Sequence, residues 1–203
     1  MRIATFKHQG HTQVGLVDIN TQQVTVLELP AAERHLGALP LIERIVAGQT
    51  LPAQGAALPL SAVQLMAPIP HPRRNIFCVG KNYHAHAKEF ANSGFDSSAK
   101  VGGDIPSVPI FFSKVPESVV GPTDTVLIPA QVSQAIDYEV ELAVIIGRGG
   151  KGISKAQAMQ HVWGYTIIND VSARDWVEHF RRTGNPDLNR AGKQFPGFTP
   201  LGP

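Results

Sequence analysis

The segment Asp137-Tyr138-Glu139-Val140-Glu141-Leu142-Ala143-Val144-Ile145-Ile146 decides how the chain is read. Its Val- and Ile-rich second half has strand character. Side chains on a strand alternate faces, so Glu139 and Glu141 point the same way, joined by Asp137 where the strand starts that early. Neighbours two apart on one face lie about 6–7 Å apart at a rise of ~3.3 Å per residue. At an effective dielectric near 20 each such pair repels by about 2–3 kcal/mol. The continuation Leu142 to Ile146 reads as buried. Acids at the mouth of a buried strand need protons, basic partners or a cation. An all-oxygen donor set suits a hard cation, Mg²⁺ above all, with Mn²⁺ or Ca²⁺ as alternatives. A third acid, Asp170, closes the next apolar strand, Trp163 to Ile168, where ligands often sit in sheets of this kind. Spacing alone leaves two readings open: a metal site, or a strand end bridged to Lys or Arg.

Working outward, residues 1–30 read as three short strands: Arg2 to Lys7, Gln13 to Asp18 and Gln23 to Leu29. Leu39, Ile42, Ile45 and Val46 mark a helix over 39–47, with Pro40 tolerable at its start. Residues 48–62 show no period and read as a connector. Pro68, Pro70 and Pro72 then set a boundary between residues 1–65 and 70–203. Beyond it come an apolar run at Asn75 to Val79, a helix from Tyr83 to Ala91 and a long surface loop over 92–108. Val108 to Lys114 and Thr125 to Ile128 are strand candidates. Ser154 to Val162 reads as a helix, and another starts at Ser172 with Asp175 completing a capping-box-like pair.

The composition narrows the class. In 203 residues, Gly 19 and Pro 16 exceed the usual share of roughly 12%, which argues for turns and against a helix bundle. A net charge of +2 does not demand nucleic acid or an anionic membrane as partner. One cysteine, Cys78, excludes an internal disulfide and a multi-cysteine zinc site. No apolar run reaches the ~18 residues of a membrane span, and the N-terminus lacks a secretory apolar core. A cytoplasmic protein is expected.

His86 and Glu89, three apart on the expected helix, share a face. A carboxylate beside an imidazole orients it as a base, the arrangement that water activation needs; a surface ion pair is the plainer reading. Gly147-Arg148-Gly149-Gly150-Lys151-Gly152 matches G-x-G-x-x-G between a strand and a helix, which raises a dinucleotide-dependent oxidoreductase as an alternative. Against it, the preceding strand opens with acids, the helix starts after the last glycine, and no further βα repeat surrounds the unit. A Gly-rich turn is the simpler reading.

Taken together, several blocks resemble the fumarylacetoacetate hydrolase family. They are Asn75 to Tyr83 leading to His86-Ala-Lys-Glu89, Phe112-Ser-Lys114 with Gly121-Pro122, Asp137 to Leu142, Gly164-Tyr165 through Asn169-Asp170 to Arg174-Asp175, and Gly192-Lys193 with Phe198 to Pro203. The resemblance implies an α+β fold: a mixed β-sheet roll with few helices, preceded by a small N-terminal domain and usually homodimeric. It implies a divalent-metal enzyme that hydrolyses a C–C bond in small 2,4-dioxo acids of the acylpyruvate type. Hydratase, isomerase and oxaloacetate decarboxylase activities are its alternatives within the family. By position, Glu139, Glu141 and Asp170 would hold the metal, and His86 and Glu89 would activate water. Lys193 would stabilise developing negative charge, while Arg174 and Tyr83 would face the substrate. Two blocks depart from the family pattern. Gln194-Phe195-Pro196-Gly197 stands where Ser-Phe-Asp-Thr is usual, and Val177 where Gln is usual, both on the substrate side. Because family members usually run on past the block ending at Pro203, the resemblance also implies a chain lacking part of its catalytic domain, with an inactive shortened member as a further alternative.

Overall fold

The computed structural model describes residues 1–85, 106–184 and 191–202. Five strands make the N-terminal sheet: β1 (Ile3–His8), β2 (His11–Asp18), β3 (Gln23–Leu27), β4 (Gln54–Pro59) and β5 (Gln64–Leu65), in the order β4-β3-β2-β1-β5. β1 and β2 meet through the two-residue turn Gln9-Gly10, both at positive φ, which is why glycine stands at position 10. Helix α1 (Leu39–Val46) carries Pro40 in its first turn, as expected, and buries Leu41 against Val14, Leu27 and Leu29. Ala4, Phe6 and Val24 form a second cluster. The sheet is stitched onward at Pro68, whose carbonyl accepts from Ala38 N (2.8 Å) and Thr5 Oγ1 (2.8 Å). A Cβ at Gly37 would lie 2.5 Å from that same carbonyl. The stretch read as a shapeless connector contains β4: its Gly, Ala and Pro residues carry no alternation to read, and pairing with β3 alone makes it a strand.

The rest is built from short antiparallel pairs. β6 (Ile76–Gly80) pairs with β7 (Ile110–Lys114), and β10 (Val140–Ile146) with β11 (Val162–Asn169). β9 (Ile136–Asp137) pairs with β12 (Ser172–Ala173), while β13 (Thr199–Pro200) runs parallel to β8 (Val119–Val120). Helix α2 (Arg174–Thr183) follows β12 directly. The result is the mixed, strand-rich α+β architecture expected, with few helices.

Several local expectations fail for physical reasons. The carboxylate strand is broken at Tyr138-Glu139, so Asp137 belongs to a separate strand. Its second half is not buried throughout. Glu141, Ala143 and Ile145 turn inward, and Val140, Leu142, Val144 and Ile146 are 68%, 59%, 47% and 58% exposed. The helix expected at 154–162 is a turn ending in a short 3₁₀ segment, Ala158–His161. Residues 151–160 are all exposed, so helix propensity has no packing to support it. Thr125 to Ile128 forms no strand. Asp175 does not cap Ser172: its carboxylate accepts from Ser133 Oγ (2.6 Å) and Gln134 N (3.0 Å). Those bonds hold the Asp175 carboxyl below its ordinary range against a desolvation that raises it. Of the helix expected at 83–91 only its start, His84-Ala85, lies among the described residues, and most of the loop at 92–108 lies outside them.

Candidate metal centre

β10 and β11 bring the acids together. Their register sets Val140 opposite Asn169, which places Glu139 opposite Asp170. The pairing is completed by Asp170 N donating to the Glu139 carbonyl (2.8 Å) and Glu139 N donating to Asn169 Oδ1 (3.0 Å). Glu141 follows one pleat later on the inward face. Carboxylate oxygens of Glu139, Glu141 and Asp170 consequently lie within 4.8 Å of one another.

Lysines answer two of the three. Lys193 Nζ donates to Asp170 Oδ2 (2.8 Å) and Ser172 Oγ (2.6 Å) and lies 3.3 and 3.4 Å from the Glu139 oxygens. Its charge also sits 4.9 Å from the centroid of the Phe112 ring. Lys114, at the end of β7, is wholly enclosed. Its Nζ donates to Asp170 Oδ1 (2.6 Å), the Lys193 carbonyl (2.6 Å) and the Val171 carbonyl (3.2 Å). Burial pulls the Lys114 ammonium below the ordinary lysine range, opposed by Asp170. Arg174 opens α2 with its guanidinium 2.9 Å from Asp137 Oδ2 and 2.6 Å from Glu139 Oε1.

Glu141 differs from its neighbours: no described residue hydrogen-bonds or ion-pairs with its carboxylate. Desolvation, then the charges of Asp170 and Glu139, push its carboxyl up to about 7. Among the described residues, Asp137, Glu139, Glu141 and Asp170 face Lys114, Arg174 and Lys193, one cation fewer than the carboxylates. Three converging carboxylates, one unanswered and electrostatically strained, fit a hard divalent ion. The centre has the basic partners of one opening reading, and its three carboxylates offer the donor set that the other requires.

Tyr83 reaches the same strand from outside. Its hydroxyl accepts from Leu142 N (3.0 Å) on β10. His86 and Glu89 lie outside the described residues. Two participants escaped the sequence reading: Lys114, quoted only as part of a block, and Ser172, read as a helix cap. A polar pair inside the strand-like run Ile110 to Lys114 was the available signal for the first. The Gly-rich segment 147–152 is a turn tied by Gly147 N to the His161 carbonyl (2.9 Å). No α-helix follows it to meet a pyrophosphate.

The strands thus build a carboxylate centre with a lysine in its midst, on a mixed sheet fold. Residues 75–203 match the family described as fumarylacetoacetate (FAA) hydrolase C-terminal, and residues 1–68 match one described as Rv2993c-like, N-terminal. The chain belongs to the fumarylacetoacetate hydrolase family. It is 46% identical over 158 residues to human "Oxaloacetate tautomerase FAHD2A, mitochondrial", covering 78% of this chain and 45% of that protein. It is 36% identical over 224 aligned positions to "Oxaloacetate tautomerase YisK" of Bacillus subtilis, covering 100% of this chain and 68% of the relative. Among solved structures, the fumarylacetoacetate hydrolase of Exiguobacterium antarcticum superposes with a TM-score of 0.72 at 31% identity, over 100% of this chain and 65% of that one. A 2-hydroxyhepta-2,4-diene-1,7-dioate isomerase from Mycobacterium marinum superposes with a TM-score of 0.67 at 26% identity, over 100% and 64%. The chain thus spans about half the length of the human relative. No helix among the described residues is long and apolar enough to cross a membrane.

Proposed function

We propose that the chain carries the metal centre of an enzyme that interconverts the keto and enol forms of a small 2-oxo acid of the oxaloacetate class. The observation that carries this reading is the convergence of Glu139, Glu141 and Asp170 around the Lys193 ammonium. A divalent ion held by the three carboxylates would supply a Lewis acid toward the substrate's 2-oxo group. Lys193, steered by Asp170 and Ser172, offers a preset positive charge to the oxygen on which enolate charge develops. Arg174, on the rim with a third of its side chain exposed, pairs with a substrate carboxylate. The family resemblance assigns the acid–base role to His86 and Glu89, which in this reaction would move a proton at the carbon next to the carbonyl. The names of the human and Bacillus relatives support tautomerisation over the C–C hydrolysis expected from the sequence.

The test is the decay of enol absorbance of oxaloacetate above its spontaneous rate, with Mg²⁺ or Mn²⁺ and with chelator. Acceleration that needs the metal and vanishes in Glu141→Ala supports the reading; equal decay with and without protein ends it. Hydrolysis remains the second reading, favoured by the Exiguobacterium structure's name. It predicts release of pyruvate from an acylpyruvate under the same conditions.

A further inference from the structure

Lys114 has no part in the chemistry just described, yet it is among the most enclosed side chains of the molecule, with 0% of it exposed. A buried lysine is costly unless every proton is matched. Here three N–H groups meet three acceptors: one carboxylate oxygen and two main-chain carbonyls. Those acceptors are not scattered through the fold. One is Asp170 Oδ1, the second is the carbonyl of the next residue, Val171, and the third is the carbonyl of Lys193. Lys114 therefore touches both the carboxylate that lines the metal centre and the backbone that carries its ammonium. By occupying Oδ1 it leaves Oδ2 to Lys193. By holding the Lys193 carbonyl it fixes the root of the side chain whose tip lies among them.

We propose that Lys114 is a positioning residue that presents Asp170 to the metal through one oxygen and anchors Lys193 beside it. The inference rests on the metal reading above. It predicts a sign that charge alone would not give. Deleting a nearby positive charge should tighten cation binding, whereas losing the partner that orients a ligating carboxylate weakens it, by about 10–100-fold in known sites.

The experiment is calorimetric titration of Mn²⁺ into the wild-type chain, Lys114→Met and Lys114→Gln, with circular dichroism to establish folding. The expected result is Mn²⁺ affinity about 10–100-fold weaker in Lys114→Met and substantially recovered in Lys114→Gln, which keeps an N–H near Asp170. Unchanged or tighter binding in Lys114→Met overturns the proposal. So does equal weakening in both variants, because the effect would then not depend on the hydrogen bond to Asp170. Unfolding of both variants also overturns it, by assigning Lys114 to the fold. A wild-type chain that takes up no Mn²⁺ removes the metal reading itself, and that outcome is visible before any variant is compared.

Discussion

The five-stranded sheet of residues 3–65 encloses Phe6, Val14, Val24, Leu27 and Leu41, and its polar groups lie mostly outside. Between residues 110 and 202, fully enclosed positions are held by Lys114, Ser118, Asp170, Ser172 and Thr199, alongside Ala173 and Phe198. The same region exposes Phe77's neighbour strand through Phe111, and β10 and β11 through Val140, Leu142, Val144, Ile146 and Ile167. One part is held by apolar burial, which is non-directional and tolerates repacking. The other packs apolar clusters around Ile168 and Phe198 and also encloses charges whose geometry must be right, because an unmatched buried ion is far more costly than a lost methyl. The difference is that the second region gives two of its fully enclosed positions to an ion pair, Lys114 and Asp170.

The comparison can be broken most forcefully at Asp170. Asp170→Ala leaves Lys114 and Lys193 without their shared carboxylate, at a cost of about 3–5 kcal/mol, and abolishes Mn²⁺-dependent thermal stabilisation. Urea denaturation with and without Mn²⁺ checks both effects. Phe6→Ala should cost a similar ~3–5 kcal/mol by cavity formation while leaving the Mn²⁺ affinity of the folded protein within twofold. A large loss of affinity would show that the two regions are not independent. Lys193→Met should lower metal-dependent turnover by about 10²–10³-fold, the usual loss for one charge-stabilising donor, read as kcat at saturating oxaloacetate.

The pH dependence follows from Glu141. Its carboxyl is raised to about 7 by burial and by neighbouring carboxylates. In the metal-free fold this group therefore favours the folded state at low pH, and that contribution is lost as pH rises through about 7. Mn²⁺ needs the ionised form, so affinity should climb below that pH and level above it. Calorimetry across the interval tests this, and a flat profile contradicts it. The smallest effect belongs to the exposed apolar face: Val144→Lys should change the chain's stability by no more than about 0.5 kcal/mol. A larger, concentration-dependent shift would show that another polypeptide covers β10.

The acids were legible because strand alternation is local: Glu139 and Glu141 share a side whatever the rest of the chain does. Asp170 was legible as the polar end of an apolar strand. Lys193 and Arg174 gained meaning only from the family blocks, and the structure brings both to Glu139. Lys114 carried only the weak mark of a polar pair, Ser113-Lys114, closing its strand. Its partners lie 56, 57 and 79 residues away, and nothing within Ile110 to Lys114 reports them. The outward face of β10 was misread because a Val-Leu-Ile run looks the same whether one side is covered or both. The break at Tyr138-Glu139 depends on where β9 finds β12, which is again a long-range event.

The separations at Lys114 also bear on time. β1 and β2 close over a two-residue turn, whereas Lys114 meets Asp170 and Lys193 only after loops of 56 and 79 residues have shut. Contacts so distant along the chain are slow to form and expensive in entropy until neighbours are in place. On that ground the ionic centre is expected to close later than the β1–β2 hairpin, on the scale of the β1–β5 pairing that joins Phe6 to Leu65. A cation that recognises only the finished centre leaves the speed of folding nearly unchanged and acts on the return journey, lengthening the lifetime of the native molecule.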